Sequence, residues 1–188
     1  NYLLLLAGHI PGEGSVIFEM TRAVSIDEQD GGVTVRTDRG LLRSDHAVLA
    51  THYPIYDIPG AYFARMQPSK SYALGLRIDE PFPNGMFINT SGAVHSWRSQ
   101  PTAGGEIAIV TGAEHDTGKV TDTRACYRNL EAYARSVYPV RSIDYHWSAQ
   151  DYTTLDGVPY IGPLAPGHDR VFVATGFGKW GMTNGTAA

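Results

Sequence analysis

The chain opens on an apolar run, Tyr2-Leu3-Leu4-Leu5-Leu6-Ala7, stopped by Pro11 and the glycines Gly12 and Gly14, a pattern that predicts the end of a helix over residues 2–10. Short β-rich segments follow at 15–18 and 22–26. Gly31-Gly32 then turns into residues 33–37, where apolar and polar positions alternate as on a half-exposed strand. Asp38-Arg39-Gly40 is a turn from which Leu41-Leu42-Arg43 pairs back as a hairpin. Residues 46–51 form an apolar run of the kind buried in a sheet covered on both faces.

From about residue 58 the character changes: prolines and aromatics become frequent and the strands carry arginines on one face, which predicts a domain boundary. Four strands, at 70–78, 85–89, 93–98 and 106–111, separated by short turns, read as an antiparallel meander. Tyr127, Leu130, Tyr133, Ala134 and Val137 recur at helical spacing behind Asp122 or Thr123 as a cap, so one helix is expected over one face of that sheet. Residues 142–150 return as a strand. Residues 170–175 read as a buried strand, and 176–182 as a glycine-rich turn entering a helix. The fold class is α+β: residues 59–150 form an antiparallel sheet with a covering helix, while 1–58 and 151–188 build a second, α/β part.

At 188 residues, 43% hydrophobic and 18% charged, the chain is long enough for one large domain or two small ones. The net charge is −4 and the fifteen Lys and Arg are scattered, so neither nucleic acid nor a membrane surface is expected as a partner. The single cysteine, Cys126, falls inside the expected helix as a small buried hydrophobe, and a reducing, cytoplasmic compartment is expected. His9, His46, His52, His95, His115, His146 and His168 lack the close pairings of a metal site, and no metal is expected. The opening apolar run is too short to span a bilayer and has no basic region before it. Without an initiator Met, and with residues 184–188 reading as a helix in its first turns, the chain is expected to be an internal piece of a longer polypeptide.

Two segments carry candidate chemistry. A strand ending in Thr175 and turning through Gly176, Gly178 and Gly181 into a helix brings backbone N–H groups to the edge of the sheet, where an electron-rich or anionic group is favoured by ~0.3–1 kcal/mol when exposed. A turn that needs glycine only for close packing reads equally well. The second segment is Asp156-Gly157-Val158-Pro159-Tyr160-Ile161-Gly162. Together the two closely resemble the C-terminal signature of the D-amino acid oxidase superfamily of FAD-dependent oxidoreductases, which includes glycine oxidase and sarcosine oxidase. Glu19-Met20-Thr21-Arg22-Ala23-Val24 resembles the family's segment whose valine backbone pairs with the adenine of FAD, and residues 46–51 resemble its strand ending in Ala-Thr beside the cofactor. The run from Gly176 to Gly185 is similar to members that carry a Rieske iron–sulfur domain.

The resemblance implies FAD contacts at Val24, Ala50, Thr51, Asp156, Ile161, Gly162, Thr175, Gly176, Gly178, Lys179, Trp180, Gly181 and Met182. It also implies that the first βαβ unit, whose Gly-x-Gly-x-x-Gly turn holds the pyrophosphate, lies outside this chain. A [2Fe–2S] cluster would belong to a separate domain, since the chain has no Cys-x-His and Cys-x-x-His pair. In glycine oxidase-like members an arginine of the last turn binds the substrate carboxylate; Lys179 stands there, able to hold an anion as a point charge but without the planar fork. Arg77, Arg98, Tyr72, His95 and Trp97 are candidates to face a substrate. Trp97 and Arg98 are strand neighbours and point to opposite faces, and Arg98 is the chosen polar contact, a solvated sheet-face arginine being the alternative. Tyr145 and Trp147 share a face opposite His146 and read as core aromatics. Lys179 and Arg98 are thus the candidate catalytic residues of a FAD-dependent enzyme that oxidises an amine or amino acid by hydride transfer to flavin. Its expected partners are a small amine substrate, the remainder of the flavoprotein and an iron–sulfur domain, and the isolated chain is expected to be inactive. A small-molecule or partner-binding module without redox activity is the alternative.

Overall fold

The computed structural model describes residues 2–29 and 31–188. In chain order its elements are α1 (Tyr2–Gly8), β1 (Ala23–Gln29), β2 (Gly32–Thr37), β3 (Gly40–Ser44), β4 (Ala47–Leu49), a 3-10 turn (Tyr62–Ala64), β5 (Met66–Ile78), β6 (Phe87–Ile88), β7 (Ser96–Thr102), β8 (Gly105–Asp116), α2 (Thr123–Val137), β9 (Val140–Thr154), β10 (Tyr160–Pro163), β11 (Val171–Thr175) and α3 (Gly181–Ala187). They form three sheets with strand orders β1-β2-β3, β10-β11-β4 and β6-β7-β8-β5-β9, an α+β architecture in which β11–β4 is the parallel pair.

The expected helix of the middle region is α2. Asp122 caps it, its Oδ1 accepting from the Ala125 N–H at 3.1 Å, and Cys126, Leu130 and Ala134 are buried at helical spacing. That stripe packs on the face of the five-stranded sheet carrying Tyr72, Leu74, Leu76, Trp97, Ala108 and Val110, forming one buried cluster. Val137, expected on the same stripe, is the last residue of the helix and is exposed. A second cluster gathers Ile26, Val33, Leu49, Tyr62, Met66, Leu164, Val171 and Val173 from the other two sheets, with the Tyr62 hydroxyl donating to the Leu164 carbonyl at 2.7 Å.

The meander expectation holds for β6-β7-β8 but not for β5, which lies between β8 and β9 instead of beside β6. β5 begins at Met66, four residues earlier than the sequence suggested, and pairs along its length with β9, from Met66 opposite Thr154 to Ile78 opposite Val140. A long strand with five consecutive buried residues, 72–76, gains most in the interior of a sheet, while the two-residue β6 serves as a short edge. Residues 15–18 are not a strand: Val16, Ile17 and Phe18 are exposed, since β-propensity without a partner strand fixes no ladder. Among the described residues no helix is long and apolar enough to cross a membrane.

Glu28 on β1 ties that sheet to the segment before β11. One carboxylate oxygen meets His168 Nδ1 at 2.6 Å and the other accepts from the Arg170 N–H at 2.7 Å. Burial works against its charge, but these contacts outweigh it and hold the Glu28 carboxyl below its ordinary 4.5. A depressed carboxyl contributes stability that is complete above pH 4.5 and disappears as pH falls through the folded-state value. The stability difference between wild type and Glu28→Gln, read by urea unfolding, is therefore largest near neutrality and closes in acid. In the same assay Leu130→Ala is expected to cost about 2–5 kcal/mol, through lost burial and a residual cavity, whereas Val137→Ala stays within about 0.5 kcal/mol.

Candidate functional site

The site begins where β4 and β11 run parallel, with Ala47, Val48 and Leu49 opposite Val171, Phe172 and Val173. Their carboxyl ends emerge side by side, the place where open α/β sheets present a crevice to ligands. Ala50 and Thr51 follow β4, and Thr175, almost fully buried, closes β11; its hydroxyl donates to the His52 carbonyl and so joins the two strand ends. β10 lies on the other side of β11 with Tyr160, Ile161 and Gly162 opposite Thr175, Ala174 and Val173. The turn ahead of β10 is set by Asp156, whose Oδ1 accepts from the Val158 N–H at 3.0 Å; this backbone donor is the leading cause holding the carboxyl below its ordinary 3.8.

The glycine-rich turn after Thr175 leans on the end of β9. Gly176 has φ +75°, and a Cβ there would sit 2.5 Å from Thr154 Cγ2, so glycine is required twice over, by conformation and by space. Phe177 forms a bridge with Thr153, and the Gly178 N–H donates to the Tyr152 carbonyl at 2.9 Å. Lys179 then reaches across the same strand ends. Its Nζ lies 3.0 Å from Asp151 Oδ2, 3.3 Å from Glu114 Oε1 and 3.4 Å from Ser71 Oγ. Burial disfavours its charge, yet Asp151 and Glu114 prevail and raise its pKa above the ordinary 10.5. Trp180, Met182 and Ile161 stand exposed beside this turn.

Val24 sits apart, on β1 of the three-stranded sheet, exposed at a concavity of about 660 Å³ that it shares with Arg22, Tyr53, Pro54 and Asp57. The segment after Thr51 reaches this concavity and links it to the strand ends. There the Tyr53 hydroxyl donates to Asp57 Oδ2 at 2.6 Å, and burial together with that carboxylate pushes the phenol up to about 12. The far side of the five-stranded sheet, opposite α2, is open. Arg98 lies on that face, exposed, in a register row with Ile109, Gly75 and Tyr145. Tyr72, Trp97 and His95 turn instead toward α2, His95 stacking on Tyr133, and Arg77 is bound to Asp144 at 2.9 Å. Among the described residues no group of three or more His, Cys, Asp or Glu gathers as a metal site.

A family model described as FAD dependent oxidoreductase (DAO) matches residues 1–188. The chain belongs to this family. A curated relative from Bacillus subtilis (strain 168), named "Putative Rieske 2Fe-2S iron-sulfur protein YhfW", is 34% identical over 188 residues, covering 100% of this chain and 37% of that protein. Among solved structures, glycine oxidase from Geobacillus kaustophilus superposes with a TM-score of 0.65 at 20% identity, over 90% of this chain and 46% of its own. Iminodiacetate oxidase from Chelativorans sp. BNC1 gives 0.63 at 14%, over 87% and 46%. At such identities the structural likeness shows the fold, and the chain spans less than half of each of these relatives.

In this FAD-dependent oxidoreductase chain, the residues nominated from sequence fall into three places. Ala50, Thr51, Thr175, Gly176, Gly178 and Lys179 meet at the β4–β11 ends, with Asp156, Ile161 and Gly162 on the neighbouring turn and strand; Val24 lies at the separate concavity, and Arg98 on the open sheet face. Sequence reasoning missed Asp151 and Glu114 as partners of Lys179. Asp151 was within reach, since it continues the 145, 147, 149 alternation of β9; Glu114 follows Ala113, whose φ of +54° belongs to an irregularity in β8 that no pattern announced. Gly176→Ala is expected to destabilise the protein by about 2 kcal/mol or more, through left-handed strain plus the clash with Thr154. Gly118→Ala, at φ +85° with open space around its Cβ, bears the strain alone and should cost about half as much in the same urea titration.

Proposed function

We propose that this chain forms the substrate-binding part and the C-terminal part of the FAD-binding domain of an enzyme that oxidises a small amine or amino acid. Residues 59–150 form the substrate-binding part, and 1–58 and 151–188 belong to the FAD-binding domain. The observation that carries the reading is the seating of the glycine-rich turn: the ends of β4 and β11 and the end of β9 converge on it, so one rigid corner faces both the crevice and the open sheet face.

The residues present fit the group. Gly176 and Gly178 seat the turn against β9, while exposed Ile161, Trp180 and Met182 offer a flat ring apolar cover and the concavity at Val24 has room for an adenine. FAD would supply the hydride acceptor. The chain's own contribution is to orient the substrate against that acceptor and to exclude water with the aromatic and apolar surface around the turn. Val24, Ala50, Thr51, Asp156, Ile161, Gly162, Thr175, Gly176, Gly178, Lys179, Trp180, Gly181 and Met182 form the cofactor surface, and Arg98 and Lys179 border the substrate side. The name of the Bacillus relative and the similarity of residues 176–185 support an iron–sulfur domain elsewhere in the whole protein, and the lone free Cys126 fits a cytoplasmic setting.

The test is a FAD titration followed by absorbance and flavin fluorescence, on this chain and on the whole protein. The whole protein is expected to carry a visible flavin band that amine bleaches anaerobically, and this chain alone to bind FAD at least tenfold more weakly. A whole protein that stays colourless after FAD addition overturns the reading.

A further inference from the structure

The open face of the five-stranded sheet holds two large aromatic side chains where the sequence pattern suggested core. Tyr145 and Trp147 are 56% and 41% exposed, whereas His146 between them turns inward onto Tyr127 of α2. Alternation along β9 places 145, 147, 149 and 151 on one face, and the ladder is unbroken from Gly75–Tyr145 to Ser69–Asp151. The central strand beneath the pair offers only Gly75 and Ala73. A Cβ at Gly75 would lie 3.2 Å from Tyr145 Cβ and Cδ2, so the tyrosine rests directly on the glycine backbone. The two aromatics thus form a shelf over a floor of small residues.

The shelf ends at the Lys179 corner. Trp147 pairs with Ala73, two positions along β5 from Ser71, which Lys179 contacts; two residues of strand span roughly 7 Å. At that corner the carboxylates of Asp151 and Glu114 face the one ammonium of Lys179, leaving one uncompensated negative charge. At the other end Arg77 is neutralised by Asp144. Arg98 shares the row of Tyr145 but stands three strands away, roughly 14 Å at about 4.8 Å per strand.

We propose that Tyr145 and Trp147 are specificity-determining residues that hold the cationic nitrogen of an N-alkylated amine lacking an α-carboxylate. Placing a substrate on this face rests on the oxidoreductase reading above. Two independent features select the occupant. Indole and phenol faces attract an alkylammonium ion through their quadrupoles and also cover its methyl groups, which a neutral polar substrate would not reward. The surplus carboxylate charge at the end of the shelf, with Asp151 four residues of β9 or roughly 13 Å from Trp147, is complementary to a cation and opposes a carboxylate carried on the substrate. Lys179, held by three acceptors, is not free to offset that repulsion.

The test is isothermal calorimetry on the whole protein with choline, its uncharged tert-butyl isostere and glycine betaine. Choline is expected to bind about tenfold or more tightly than either of the others. Trp147→Leu and Tyr145→Leu should each erase most of the preference over the uncharged isostere, and Trp147→Phe should keep most of it. Equal affinities, tighter binding of glycine betaine, absence of choline binding, or leucine variants that retain the preference overturn the proposal. Calorimetry reads the preference with or without bound flavin. A colourless protein that shows it defeats only the flavoenzyme reading, and a flavin-bearing protein that lacks it defeats only this one.

Discussion

The ladder between β5 and β9 is the constraint on which the other parts depend. It starts at Met66 and Thr154, inside one buried cluster, and runs to Ile78 and Val140 beside the other, so a single pair of strands belongs to both cores. Because side chains alternate along it, the inward positions seat α2 and the outward positions make the open face; no second element has to decide where either lies. The glycine-rich turn is then fixed to the end of this ladder by backbone contacts, the Gly178 N–H on the Tyr152 carbonyl and Phe177 on Thr153. Backbone groups cannot be left unpaired at low cost, so this joint is set by chain geometry before any side chain contributes.

That economy leaves a large apolar surface unused. α1 has leucines at positions 3–6 and buries none of them, and Val16, Ile17, Phe18, Leu41 and Leu42 are exposed as well. A helix apolar on every side is stable only when covered, and exposed apolar clusters of this kind mark contact with something else. Ile17, Phe18, Leu41 and Leu42 line one concavity beside β3, while the outer side of α2 is polar. The five-stranded sheet shares the feature, since Phe87, Ile88, Tyr145 and Trp147 are exposed on it although α2 covers its other face.

Much of this was legible in the sequence for physical reasons that can be named. α2 announced itself through a cap and a 3.6-residue stripe, both local signals, and the strand–turn–helix at 171–187 through glycines whose positions permit few alternatives. The errors have a different origin. The period of two correctly placed Tyr145 and Trp147 on one face and His146 on the other, but a period says nothing about which face is covered; that depends on α2 having chosen the side of Leu74. The order of β5 in the sheet likewise depends on its partner β9, some seventy residues away, a long-range pairing that local turn signals do not encode. Residues 15–18 carried the propensity of a strand and had no neighbour to pair with.

The role of Lys179 follows from the same distinction between local and distant information. Read locally, a lysine where the sequence resemblance implies an arginine is a weaker version of the same anion receptor. Read in three dimensions, its ammonium has three donors and meets three acceptors from three strands: Ser71 on β5, Glu114 on β8 and Asp151 on β9. A guanidinium, planar and with its donors in a fixed fork, matches one carboxylate edge well but cannot point at three acceptors spread around a point. The lysine therefore suits a tie between the turn and the sheet, and its two carboxylate partners leave the corner with a negative balance. Asp151 and Glu114 outnumber the one ammonium that ties them, and this surplus of carboxylates, not the identity of the cation, sets the sign of the charge at the corner.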